Sequence, residues 1–210
     1  MILEIPKIYP VTDTVLSGLS HSEQVERLID GGAEFIQVRD KHLSARDFYD
    51  SAEKAIAVAR KSGVRIIIND RVDIALALNA DGVHLGQDDL PPEYARGILG
   101  DDAIIGFSTH TPEQAYLATR LPINYIAIGP IFSTQTKENP EPAVGLDGLS
   151  KAQKAVGNFP LVAIGGITSV NLESVFKAGA DSAAIIRDLV SDADHISSKM
   201  KELLDFNNGR

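Results

Sequence analysis

Residues 66–89 read IIINDRVDIALALNADGVHLGQDD. Two short apolar runs, Ile66-Ile67-Ile68 and Gly82-Val83-His84-Leu85, are each closed by polar and acidic residues, Asn69-Asp70 after the first and Gln87-Asp88-Asp89 after the second. Continuously apolar runs of this length are the pattern of parallel strands buried on both faces. Acids that close successive strands of a parallel barrel lie side by side at one rim. A hard cation such as Mg2+ can be held there for phosphate chemistry.

The same pattern runs along the chain. Strands are predicted near Lys7–Thr12, Phe35–Arg39, Arg65–Asn69, Gly82–Leu85, Ile104–Ser108, Tyr125–Gly129, Leu161–Ile164 and Ser182–Ile186. Helical patterns fill the gaps. Over Ser44–Ser62, the residues Phe48, Ala52, Ala55, Ile56 and Ala59 fall on one stripe, and Ser44 with Asp47 resembles a capping box. Thr111-Pro112-Glu113-Gln114 and Ser20 with Glu23 are helix starts, the latter opening the first helix; Gly31-Gly32, Gly63 and Gly179 are placed as helix C-caps. Strand and helix alternating eight times predict a (β/α)8 TIM barrel. An open doubly wound sheet is the competing architecture, but no GxGxxG follows the first strand. The long connection from Pro130 to Asp147 has the length of a functional lid or a disordered segment.

Length and composition bound the rest. A chain of 210 residues fits one barrel domain spanning residues 1–210. Apolar residues make up 44% and charged residues 23%, which suits a globular protein with a sizeable core. A net charge of −9, with no Lys/Arg cluster, argues against nucleic acid and anionic membranes as partners. The lack of cysteine excludes disulfides, thiolate zinc sites and a cysteine nucleophile. No signal peptide and no apolar run near the ~20 residues of a membrane span are visible, so a cytoplasmic location is expected.

In such barrels the reactive groups gather where strands end. Gln37, Arg39 and Lys41 follow strand two with a period of two, Asn69 and Asp70 follow strand three, and Asp88 and Asp89 follow strand four. Strand five ends in Ser108-Thr109-His110, strand six leads to Thr134, Thr136 and Lys137, and strand seven ends in Gly165-Gly166. A lone Asp at such a position is ordinarily an N-cap or a surface acid. Asp70 and Asp89 at adjacent strand ends, facing Arg39 and Lys41, point instead to an oxygen-ligated Mg2+, and the cations around it to a diphosphate. Gly165-Gly166 is either a tight turn or a loop whose N–H groups approach an anion. Thr134 and Thr136 either solvate a loop or, beside Lys137, clamp an anion. His84, inside an apolar strand, is read as a packed or hydrogen-bonded histidine rather than a base; His21, His42 and His195 are read as surface residues. Two anion sites on one rim suit the joining of a phosphate-bearing acceptor to a fragment that leaves a diphosphate.

Several blocks together resemble the thiamine phosphate synthase family: Tyr9-Pro10-Val11-Thr12-Asp13, Gln37-Val38-Arg39-Asp40-Lys41, Asn69-Asp70-Arg71-Val72-Asp73, His84-Leu85-Gly86-Gln87-Asp88-Asp89, Ser108-Thr109-His110-Thr111, Gly129 through Lys137, and Ala163-Ile164-Gly165-Gly166-Ile167. The likeness runs in order over nearly the whole chain. It implies condensation of hydroxymethylpyrimidine diphosphate with thiazole phosphate, through departure of diphosphate and attack of the thiazole nitrogen on a pyrimidine cation. Carried over by residue, Gln37, Arg39, Lys41, Asn69, Ser108 and Lys137 would hold the pyrimidine diphosphate, and Asp70 and Asp89 would bind Mg2+. Thr134, Thr136, Gly166 and the Ile186-Arg187 loop would hold the thiazole phosphate, and Tyr9 and His84 would border the pyrimidine ring. Lys137, Arg39, Lys41 and Ser108 are the expected catalytic set. Small-molecule substrates are the expected partners, with a homodimer left open.

Two departures stand out: Arg187 occupies the place of the family's usual Ser, and Ser133 that of its frequent Pro. The rivals are the related thiazole tautomerase on the same barrel, which lacks the full diphosphate and metal set, and a non-catalytic phosphate-binding barrel, which needs no pair of metal-binding acids.

Overall fold

Each apolar run forms a strand because both of its faces are covered, successive side chains alternating between the barrel interior and the helix layer. The computed structural model describes residues 3–134 and 142–208. Its strands are β1 (Ile8–Pro10), β2 (Phe35–Val38), β3 (Arg65–Asn69), β4 (Gly82–Leu85), β5 (Ile104–Thr109), β6 (Tyr125–Ile128), β7 (Leu161–Ile164) and β8 (Ser182–Ile185). The helices of the described residues are α1 (Thr14–Ser17), α2 (His21–Asp30), α3 (Ala45–Lys61), α4 (Val72–Ala77), α5 (Pro92–Leu99), α6 (Pro112–Ala118), α7 (Gly145–Val156), α8 (Leu172–Lys177), α9 (Arg187–Val190) and α10 (Ile196–Asn208), with a 3-10 turn at Ala193–His195.

All strand pairs are parallel, in the order β1-β8-β7-β6-β5-β4-β3-β2. A bridge between Val11 and Gln37 joins the two ends, with the Thr12 N–H donating to the Gln37 carbonyl at 2.9 Å. The expected (β/α)8 barrel is therefore what the chain forms.

Local chemistry sets the helix ends. Ser20 Oγ accepts from the Glu23 N–H while Glu23 Oε2 accepts from the Ser20 N–H, a complete capping box at α2. Thr111 Oγ1 caps α6 by accepting from the Gln114 N–H. The stripe expected on α3 is buried in full. One element is corrected: the helix opened by Ser20 is not the first. The single turn α1 precedes it because Asp13 Oδ1 accepts from both the Val15 and Leu16 N–H groups, and Gly18 closes the turn at φ 69°.

Two apolar clusters make the core. The larger packs the outer face of the sheet against the helices. The smaller fills the barrel with Tyr9, Val11, Phe35, Ile67, Tyr125, Ala127, Val162 and Ala184. Tyr9 meets the edge of Phe35 at 4.8 Å and of Tyr125 at 6.0 Å between ring centres. Three aromatic rings fit because neighbouring inward positions are small. A Cβ on Gly106 would stand 2.0 Å from Tyr125 Cζ.

Candidate active site

The strand ends carry the expected polar set, and the structure shows which members meet. Lys41 Nζ is ion-paired with Asp70 Oδ2 across the ends of β2 and β3. Asp70 sits in the left-handed region at φ 60°, a conformation that Asp tolerates better than most residues, and its N–H donates to the His84 carbonyl at 2.8 Å. Asp89 turns back over its own loop, Oδ2 accepting from the Gly86 N–H at 2.7 Å. A Cβ on residue 86 would lie 3.0 Å from that oxygen, so glycine gives the carboxylate its room. Burial, and then the facing Asp70 carboxylate, push the Asp89 carboxyl above the ordinary range against the opposing pull of the Gly86 N–H. Asp88, by contrast, is exposed.

A carboxylate that faces another at adjacent strand ends marks a place suited to a cation. Among the described residues no group of three or more His, Cys, Asp or Glu converges. The acids at this rim that could hold a hard, oxygen-seeking ion such as Mg2+ are Asp70 and Asp89, two oxygen donors that would leave the rest of the ion's shell to water and other ligands.

Gln37, Arg39 and Lys41 spread across the rim rather than sharing one contact. Gln37 points into the barrel, donating to the Tyr9 hydroxyl at 3.0 Å. Arg39 reaches Asp13 at 3.5 Å, and its backbone N–H donates to Thr12 Oγ1 at 3.2 Å. Asn69 is 5% exposed, and its Nδ2 is one of two buried side-chain polar atoms without a hydrogen-bond partner among the described residues. A buried amide N–H2 left unpaired is costly, and this one leaves a donor at the end of β3 that a ligand acceptor could satisfy.

Ser108 Oγ lies 2.8 Å from His84 Nε2, and His84 Nδ1 lies 2.9 Å from the Tyr125 hydroxyl. Burial holds the His84 imidazole down at about 4, so the ring is neutral at physiological pH. This agrees with its reading as a hydrogen-bonded histidine. Tyr9 is 1% exposed, beneath the rim, and burial raises its phenol well above the usual range.

On the far side, Gly165 and Gly166 have φ of 99° and 65°. A Cβ on Gly166 would come 2.7 Å from Phe132 Cβ and 2.8 Å from the Ser133 carbonyl. The segment after β6 is tied to this turn by the Ile131 and Phe132 N–H groups, which donate to the Ile164 and Gly165 carbonyls. Thr134 therefore shares the rim with Gly166. Thr136 and Lys137 lie outside the described residues. Ile186 packs against both apolar clusters, while Arg187 is exposed at the start of the one-turn α9.

One expectation is overturned. His21 is fully buried, not a surface residue. Its Nδ1 is 2.8 Å from Thr12 Oγ1 and its Nε2 faces Asp40 Oδ2 at 3.4 Å, under the loop that carries Arg39 and Lys41. His42 and His195 are exposed as expected. Sequence reasoning also missed Asp13, which holds Arg39, and Tyr125, whose hydroxyl holds His84. The Tyr9 to Asp13 block pointed at the first, but an apolar strand reading Tyr-Ile-Ala-Ile offered no sign of the second.

Elsewhere, a depression of about 470 Å³ lies at the opposite end of the barrel between Arg60, Arg65 and Asn79. Its cations are already engaged. Arg60 donates to the Leu78 and Asn79 carbonyls, and Arg65 covers the Phe35 ring at 5.0 Å.

A parallel barrel with facing acids, cations and spare donors at its C-terminal rim defines an enzyme of the phosphate-handling kind. The sequence pattern of thiamine monophosphate synthase matches residues 8–189, and the chain belongs to that family. It is 44% identical over 189 residues to the thiamine-phosphate synthase of Clostridium novyi (strain NT), covering 90% of this chain and 92% of that one. It is 41% identical over 203 residues to the thiamine-phosphate synthase of Syntrophomonas wolfei, covering 95% and 97%. The solved structure of a thiamine phosphate pyrophosphorylase from Pyrococcus furiosus superposes with a TM-score of 0.86 at 34% identity, covering 97% of this chain and 96% of that one. The chain is thus a transferase of thiamine biosynthesis.

Proposed function

We propose that this enzyme joins 4-amino-2-methyl-5-(diphosphooxymethyl)pyrimidine to thiazole phosphate, forming thiamine phosphate and releasing diphosphate. The observation that carries the reading is the rim between β2 and β4, where Asp70 and Asp89 face one another, Lys41 pairs with Asp70, and the buried Asn69 Nδ2 has no hydrogen-bond partner among the described residues. Such a set suits a diphosphate brought in with a divalent cation.

In the reaction the bond between the pyrimidine methylene carbon and the diphosphate oxygen breaks, its electron pair leaving with diphosphate. The thiazole nitrogen then gives its lone pair to that carbon, making the new C–N bond. No proton is removed from either carbon or nitrogen, so no strong base is needed, in keeping with a neutral, buried His84. Arg39, Lys41 and Lys137 stabilise the charge growing on the leaving group, while Asn69 and Ser108 donate hydrogen bonds to it. Asp70 and Asp89 would hold Mg2+, which would supply further positive charge to offset that of the leaving diphosphate.

Gln37, hydrogen-bonded to Tyr9, orients the pyrimidine, which Tyr9 and His84 border. On the opposite side Thr134, Gly166 and the Ile186-Arg187 backbone hold the thiazole phosphate, to which Thr136 adds a hydroxyl ligand; this fixes the attacking nitrogen in line and keeps water from the cation. Among the described residues no helix is long and apolar enough to cross a membrane, and we place the enzyme in the cytoplasm. Incubation with both fragments and Mg2+, with thiamine phosphate and diphosphate measured together, tests the assignment. Release of diphosphate that needs only one fragment would contradict it.

A further inference from the structure

Five side chains from five strands form a single hydrogen-bonded file across the barrel. Gln37 Nε2 donates to the Tyr9 hydroxyl at 3.0 Å, and the Tyr9 and Tyr125 hydroxyls are 2.9 Å apart. The Tyr125 hydroxyl is 2.9 Å from His84 Nδ1, and His84 Nε2 is 2.8 Å from Ser108 Oγ. Each hydroxyl carries one proton and the neutral imidazole carries one N–H, so the direction of donation at one end propagates to the other. An amide N–H can only donate. Tyr9 therefore accepts from Gln37 and passes its own proton to Tyr125, which passes its proton to His84 Nδ1. That leaves His84 with its hydrogen on Nε2, donating to Ser108, whose own hydrogen then points out of the file toward the rim. Were Tyr125 to donate to Tyr9 instead, the buried Tyr9 O–H would have no acceptor, which is costly.

The fold makes room for this junction. Gly106 is the register partner of both His84 and Tyr125. A Cβ there would stand 2.4 Å from the Tyr125 hydroxyl oxygen and 2.5 Å from His84 Nδ1. With glycine in the middle strand, the two rings stack over it at 5.5 Å and 25°.

We propose that Tyr125 is a positioning residue, fixing His84 as the Nε2–H tautomer so that the Ser108 hydroxyl presents its hydrogen, not a lone pair, to the anion at the rim. The inference deepens the proposed function, because it takes the group facing Ser108 to be the diphosphate. A donor held in place before the reaction stabilises leaving-group charge without reorganising.

The test reads the imidazole nitrogens of ¹⁵N-labelled protein by NMR without substrate, His84 being assigned by loss of its signals in His84→Asn. Wild type is expected to show a pyridine-type Nδ1 and a pyrrole-type Nε2. In Tyr125→Phe both nitrogens shift toward a tautomer mixture, and kcat/KM for the pyrimidine diphosphate falls about three- to tenfold, the size of one neutral hydrogen bond. Adding Tyr125→Phe to Ser108→Ala costs nothing further. A pyrrole-type Nδ1 in wild type, an unchanged tautomer in Tyr125→Phe, or additive losses in the double variant would each overturn the proposal. The wild-type spectrum decides the tautomer even if Tyr125→Phe does not fold. A wild-type protein with the expected tautomer and no synthase turnover overturns the proposed function alone.

Discussion

Asp70 and Asp89 face one another from the ends of adjacent strands, and Lys41 pairs with the first while the Gly86 N–H holds the second. Replacing either acid should remove a metal ligand and leave the barrel intact. At Asp70 the choice of substitution matters, since an alanine at φ 60° adds about 1–2 kcal/mol of backbone strain and asparagine tolerates that conformation. Asp70→Asn and Asp89→Asn are each expected to lower kcat by ~10²-fold or more, with urea unfolding close to wild type. Turnover near wild type at limiting Mg2+ contradicts the metal assignment.

Stability should carry the signature of His21. Burial lowers its pKa below the ordinary histidine value of 6.5, outweighing the attraction of Asp40 and Asp13, so the folded protein keeps the ring neutral where the unfolded chain protonates it. The depressed folded value means the contribution is fully present above about pH 6.5. It is lost as pH falls from there toward the folded pKa, at up to about 1.4 kcal/mol per pH unit. Asp40 acts at lower pH. Burial pushes its carboxyl up, but hydrogen bonds from the His42 and Leu43 N–H groups and the Thr14 hydroxyl hold it below the usual value, so its contribution fades only in acid. Urea unfolding of wild type and His21→Gln between about pH 7.5 and about pH 5.5, roughly one unit either side of the value for an unperturbed histidine, should give a flatter profile for the variant. Parallel profiles count against a buried neutral His21.

Gly166→Ala places a methyl group against Phe132 Cβ and the Ser133 carbonyl in a left-handed backbone. It should destabilise the fold by about 1–3 kcal/mol and raise KM for thiazole phosphate more than KM for the pyrimidine diphosphate. Equal effects on the two KM values would remove Gly166 from the phosphate site.

Arg187 stands exposed at the loop after β8, at the start of α9. If its guanidinium supports the thiazole phosphate, Arg187→Ser raises that substrate's KM several-fold at low salt, and the difference shrinks as salt screens the pair. An unchanged or lower KM assigns the phosphate to backbone N–H groups alone.

The barrel was legible because its signals are local. The α3 stripe of Phe48, Ala52, Ala55, Ile56 and Ala59 follows helical periodicity, and runs such as Ile66-Ile67-Ile68 are buried on both faces. The pairing of Asp70 with Asp89 is legible in the sequence because neighbouring parallel strands end at the same rim. The misses depend on contacts between distant segments. His21 begins a helix in the polar run His-Ser-Glu-Gln, and only the approach of Thr12 and Asp40 buries it. Tyr125 belongs to an apolar strand, and its hydroxyl gains meaning when barrel closure brings Tyr9 and His84 against it. Asp13 caps the single turn α1 with one oxygen, and its second oxygen meets Arg39 only in the folded rim.

The most direct test of the whole account follows thiamine phosphate and diphosphate from the two purified fragments in parallel, for wild type, Asp70→Asn and Asp89→Asn, across a Mg2+ titration. The account predicts equal amounts of both products from wild type, dependence on both fragments and on Mg2+, and loss of both products together in either variant. Thiamine phosphate formed at the wild-type rate by both variants, or formed by wild type with Mg2+ fully chelated, would contradict it.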